Sequence, residues 1–201
     1  MSLALRAMSL VLFLSVCAQA QNRTLALYSG PVPGLDPEAR GSMRLEMQRL
    51  FAPAGLDIVW KNLGDRNAGE DFELVVVASF EGSCSKVQPM MTPVHVSLAD
   101  TSISDGQILP FLRVDCTRIV QIIGNHAKPA LVGRAVARVI AHEIYHIVGH
   151  TTEHSNAGVA KAMFSSRDLL NPRFEFQVGS LGKMRPGPLA AISGGWINAA
   201  R

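Results

Sequence analysis

Met43, Met47, Leu50 and Phe51 recur at helical spacing after Asp36-Pro37, a capping residue followed by a proline at the first helical position. The spacing predicts an amphipathic helix over residues 37–52, stopped by Pro53 and Gly55, with the methionine stripe facing a core. Ahead of it, residues 25–28 (Leu-Ala-Leu-Tyr) form a short strand candidate, and residues 31–34 are a Pro/Gly loop. Behind it, residues 56–60 alternate loosely as a second strand, and residues 62–71 are polar and loop-like. Residues 74–78 are a continuous apolar run, the pattern of a strand buried on both faces. Residues 94–98 alternate as an exposed or edge strand, and residues 108–114 predict another strand despite Pro110, one that ends at Cys116. The longest helical segment starts at Pro129, with Val132, Val136, Val139, Ile140 and Ile147 on its buried face and Gly149 as its stop. Residues 158–170 read as partly helical or turn-like, and residues 171–201, rich in Gly, Pro and small side chains, as an irregular tail. The order predicts an α/β (α+β) fold: a mixed twisted sheet of about four to five strands with an N-terminal helix and a long second helix.

Composition narrows this to one domain. The chain has 201 residues, 48% hydrophobic and 17% charged, which suits a single core. A net charge of +3 with no Lys/Arg run or basic-aromatic interleaving gives no reason to expect a nucleic-acid partner. Residues 1–20 read as a signal peptide: Arg6, an apolar stretch through Leu10 to Leu14, and a small-x-small site at Ala18-Gln19-Ala20. An uncleaved anchor, or a lipid anchor on Cys17, is the alternative. The remaining boundaries are a domain over residues 21–170 and the tail, with no stable membrane span after cleavage. Export leaves Cys84 and Cys116, an even pair that an oxidising compartment would join as a disulfide. The expected location is secreted or periplasmic.

The chemistry sits on the long helix. Residues 142–150 read His-Glu-Ile-Tyr-His-Ile-Val-Gly-His. Positions four apart share a helix face, so His142 and His146 can present two imidazoles to one ion, and the expected cofactor is Zn2+. Glu143, about 100° further round the helix, can reach a water activated by that zinc and serve as general base without ligating the ion. A catalytic zinc needs a third protein ligand and an open position. His150 would lie about 12 Å along an unbroken helix from His142, too far to share the ion. His154 follows the Gly149 break, where the chain can turn back, and is the preferred third ligand. Glu153, Asp168 and Glu175 are acidic alternatives. His95 and His126 read as surface or core histidines, and Tyr145 as packing. No GxSxG elbow is present, and no serine or cysteine pairs convincingly with a histidine base.

On these residues the sequence resembles the metzincin clan of zinc peptidases, and loosely its matrixin branch. His142, Glu143, His146 and Gly149 match the HExxHxxGxxH pattern position by position. Thr152 stands where the third histidine would be, so the spacing to His154 is two residues longer than the family pattern. The resemblance carries Met163, in Ala160-Lys161-Ala162-Met163-Phe164, over as the methionine of the turn beneath the metal. It implies a metzincin-like upper subdomain and a peptide or protein substrate laid along an edge strand, for which residues 94–98 are the candidate.

The expectation is therefore an exported zinc-dependent metallohydrolase, read as an endopeptidase with Glu143 as base. The alternative is a non-catalytic zinc-binding or partner-binding protein on a degenerate peptidase fold. Hydrolysis of a non-peptide amide, as in a cell wall, is a third reading. Glu143 discriminates, because a structural site has no use for a carboxylate there.

Overall fold

A computed structural model of the chain describes residues 22–65, 70–85 and 97–185. Residues 1–20, read above as a signal peptide, His95 and the end of the tail lie outside them. Five strands form one sheet: β1 (Arg23–Ser29), β2 (Leu56–Asn62), β3 (Leu74–Glu81), β4 (Ala99–Ser104) and β5 (Gln107–Asp115). Their order is β2-β1-β3-β5-β4. The pairs β1/β2, β1/β3 and β3/β5 run parallel, and β4 pairs antiparallel with β5 at one edge. The expected mixed sheet is present, and the strands predicted at residues 25–28, 56–60, 74–78 and 108–114 are each extended by one to three residues at an end.

Among the described residues five α-helices accompany the sheet: α1 (Pro37–Phe51), α2 (Cys116–Ile123), α3 (Pro129–Val148), α4 (Ser166–Leu170) and α5 (Val178–Met184). The Asp36 side chain caps α1 by accepting from the Ala39 amide at 2.8 Å. Its stripe of Ala39, Met43, Met47, Leu50 and Phe51 is buried against α3 and the sheet. Leu25, Leu27, Val76, Leu112 and Val114 complete that core from the strands. From Ala135 to Ile147, α3 is buried all round, so polar side chains on it are held in a low-dielectric interior.

Three readings need correction. The predicted edge strand at 94–98 is displaced: residues 94–96 lie outside the described residues, residues 97–98 are not in a strand, and the edge strand that follows is β4, with β2 at the opposite edge. Strand β5 ends at Asp115, which caps α2 through the Arg118 amide at 3.0 Å, so Cys116 opens a helix. The tail carries a helix, α5, and buries Phe174, Phe176, Ser180 and Met184. Its apolar residues pack on the domain although their local sequence is a poor helix former.

The end of α3 also differs in detail. Gly149 has φ −80°, and it is His150, with φ 45°, that adopts the left-handed conformation. The Thr151 amide bonds the His146 carbonyl at 3.2 Å and the His150 amide bonds that of Ile147 at 3.4 Å, which is a Schellman cap with His150 in the left-handed place. Gly149 is required by space instead: a Cβ there would meet the Tyr145 carbonyl oxygen at 2.7 Å. This cap reverses the chain immediately after the helix. The Cys84–Cys116 disulfide ties the loop after β3 to the start of α2. No helix among the described residues is long and apolar enough to cross a membrane.

Candidate metal centre

His142 and His146 lie one turn apart on α3, and both are buried. Each ring is fixed from its outer nitrogen. His142 Nδ1 is 2.8 Å from the Val159 carbonyl oxygen, and His146 Nδ1 is 2.6 Å from that of Thr151. A carbonyl only accepts, so both Nδ1 atoms carry the proton and donate. Burial depresses both rings, that of His142 to about 4, which keeps them neutral near pH 7. Their Nε2 atoms therefore bear lone pairs, and these face each other at 3.0 Å. Two acceptors so placed repel unless a cation lies between them. The donor set thus fits a metal, and the carbonyl partners are the outer shell that orients metal-binding histidines.

The cap at the end of α3 brings His154 back to this pair. Its ring stacks on His142 with centroids 5.2 Å apart and meets His146 edge-on at 4.8 Å. One ligand atom from each of the three histidines lies within 4.8 Å of the others, a group that could hold a metal ion. His154 is the exposed member, so the site opens to solvent on its side. Its loop is anchored by Tyr145, whose hydroxyl donates to the Glu153 carbonyl at 3.1 Å, and by Lys183 of α5, which reaches the Glu153 carboxylate at 2.5 Å. Tyr145, expected only to pack, does both.

The other candidates are occupied elsewhere. His150 serves as the turn of the cap. Glu153 pairs with Lys183, Glu175 with Arg49, and Asp168 with Lys161 and the cap of α4. His126 is exposed in the turn between α2 and α3. Met163 does not take the place carried over from the family resemblance: it is 68% exposed. The next residue, Phe164, faces inward and meets His142 edge-on at 5.4 Å, so a one-residue difference in phase puts an aromatic ring where the methionine was expected. Gly158 shapes this segment. It has φ 73°, a Cβ there would lie 2.3 Å from the Glu175 carbonyl oxygen, and it directly precedes the residue that holds His142.

Glu143 is 6% exposed. Its Oε2 accepts a hydrogen bond from the Thr101 hydroxyl at 2.7 Å. Burial raises its pKa to about 7; the Thr101 bond opposes the rise and nearby Asp100 adds to it. One turn before His142, Arg138 is fully buried. Its guanidinium bonds Glu46 of α1 at 2.8 Å and the carbonyls of Asp168 and Leu169 at 2.7 and 2.9 Å. Burial opposes ionisation of Glu46, but the bonds from Arg49 and Arg138 hold its carboxyl below the usual range. Arg138 thereby fastens α1 and α4 to the helix that carries the histidines. Thr101, Arg138 and Glu46 were absent from the sequence reading. Arg134, Arg138, His142 and His146 form a polar series at four-residue spacing along α3, a signal that Arg138 shares the face of the histidines.

The fold has a counterpart among solved structures. The chain is similar to the crystal structure of archaemetzincin from Methanopyrus kandleri, with a TM-score of 0.51 and 12% identity, over 84% of this chain and 97% of that one. At that identity the likeness is one of fold. No protein-family model and no curated protein sequence matches the chain.

Proposed function

We propose that this chain is a zinc-dependent hydrolase of the metzincin kind, exported, which cleaves peptide bonds using Glu143 as general base. The observation that carries the reading is the pair of Nε2 lone pairs of His142 and His146 facing each other at 3.0 Å, each ring oriented by a carbonyl on its far nitrogen. His154 is the third ligand, and the archaemetzincin-like fold supports the same class. A zinc ion in this set supplies a Lewis acid that acidifies water and polarises a substrate carbonyl.

The chain's own residues do the rest. The Thr101 hydroxyl holds Glu143 Oε2, which leaves Oε1 to take a proton from the attacking water and to return it to the departing nitrogen. Among the described residues strand β4 pairs on one side only, and its other edge is where an extended peptide would lie. The Cys84–Cys116 disulfide and the leader-like first twenty residues support export.

Metal analysis of the purified chain, paired with hydrolysis of unfolded casein, tests the proposal. One zinc per chain and hydrolysis that Glu143→Gln abolishes without loss of zinc is the expected result. Stoichiometric zinc with no hydrolysis by the unaltered chain would turn the assignment to a zinc-binding module. Full activity in the Gln variant would remove Glu143 from its role.

A further inference from the structure

Glu143 carries three rotatable side-chain bonds and acts only if its carboxylate is fixed beside the histidines. No residue of its own helix does this among the described hydrogen bonds. The bond comes from Thr101, 42 positions earlier in sequence, on edge strand β4. Thr101 pairs with Leu112, a buried residue on the helix-facing side of the sheet, so its side chain points toward α3. Its hydroxyl lies 2.7 Å from Glu143 Oε2 and 3.4 Å from the Glu143 carbonyl oxygen, so it sits against both the carboxylate and the main chain of that residue.

A second, independent feature points to the same place. The β4/β5 ladder is regular from Ala99 to Thr101, then shifts register between Thr101 and Ile103. Pro110, which has no N–H to give, lies in the shifted stretch of β5 between Ile108 and Leu112. Such bulges re-aim side chains and gather beside active sites. The regular pairing thus ends at the residue that reaches Glu143, and β-branching at Thr101 restricts the rotamer that delivers the hydroxyl.

We propose that Thr101 is the positioning residue for Glu143, and that the strand along which a peptide would lie also orients the base that activates the attacking water. The proposal rests on the hydrolase reading above. Docking along β4 and alignment of Glu143 Oε1 then depend on one element: a substrate that seats well on the strand steadies the hydroxyl that steadies the base. Oε2 is committed to Thr101, so proton transfer runs through Oε1 alone.

The test uses the full zinc-loaded chain, Thr101→Val and Thr101→Ser, with fluorescein-labelled unfolded casein as substrate. Valine keeps the shape of threonine and removes only the hydroxyl. The expected result for Thr101→Val is a fall in kcat of about 10–100-fold, KM within about twofold of the unaltered chain, and unchanged zinc affinity of the metal-free protein. Thr101→Ser should restore kcat to within about threefold, because it returns the donor. A valine variant with unchanged kcat, or a loss that serine does not rescue, overturns the role of Thr101 and leaves the hydrolase reading standing. Absence of hydrolysis by the unaltered chain overturns both.

Discussion

Replacing Glu143 by glutamine should stabilise the metal-free protein, and only above the pH at which a free carboxyl ionises. The carboxyl is 6% exposed, and its pKa rises from 4.5 to about 7 in the fold. The folded state therefore holds its proton over a window in which the unfolded chain has released it. Folding stability falls as pH rises through that window, because the unfolded state binds fewer protons there. The rise of some 2.5 units corresponds to about 3 kcal/mol at 1.36 kcal/mol per unit, reached in full above pH 7. Glutamine is neutral and can still accept from Thr101, so it escapes this loss. Urea unfolding in the presence of a chelator, with the disulfide intact, should give coincident midpoints for the two proteins at pH 4. At pH 8 the variant should unfold at about 1.5 M higher urea, for a slope near 2 kcal/mol/M. A constant difference across pH, or none at pH 8, would mean that the carboxyl is not held in a desolvated site.

Other residues give equally direct expectations. Tyr145→Phe removes the hydroxyl that holds the Glu153 carbonyl, and should lower zinc affinity about 10-fold through His154 while costing the metal-free fold about 1 kcal/mol. Competition with a coloured chelator reads the first, and urea unfolding the second. Arg138→Met leaves Glu46 buried with Arg49 as its remaining partner and should destabilise by about 3–5 kcal/mol. Adding Glu46→Leu should recover most of that loss, as measured by a double-mutant cycle. Reducing the Cys84–Cys116 bond opens a loop of sequence separation 32, and should cost about 4 kcal/mol of unfolding free energy.

The parts of the fold that were legible in the sequence are those with local physical signals. Asp36-Pro37 fixed the start of α1, Pro129 that of α3, and the apolar run at residues 74–78 marked β3. Four-residue spacing brought His142 and His146 together, and the break after α3 is where the chain turns back so that His154 joins them in the group of three. Strand β4 was hidden because its outward residues are polar and its stability comes from the ladder to β5. Asp105-Gly106, both with positive φ, is the two-residue hairpin signal that would have exposed it. Helix α2 was hidden by the strand before it, although Asp115 and the spacing of Ile119 and Ile123 were available. Helix α5 contains two glycines, and its formation depends on packing by Met184 and the segment before it. The supports of the site were the least legible: Thr101, the Val159 and Thr151 carbonyls and the Arg138–Glu46 pair meet it through tertiary contacts that no spacing encodes.

The most direct test of the central claim is a calorimetric titration of the metal-free chain with zinc, run beside His154→Ala and His150→Gly. Glycine suits the left-handed place that His150 occupies, so that variant should keep the turn. Three imidazoles holding one ion predict a single site per chain, a loss of more than about 100-fold in affinity for His154→Ala, beyond what losing an outer-shell partner costs, and an affinity within about threefold for His150→Gly. No binding by the unaltered chain, or the opposite ranking of the two variants, would contradict it.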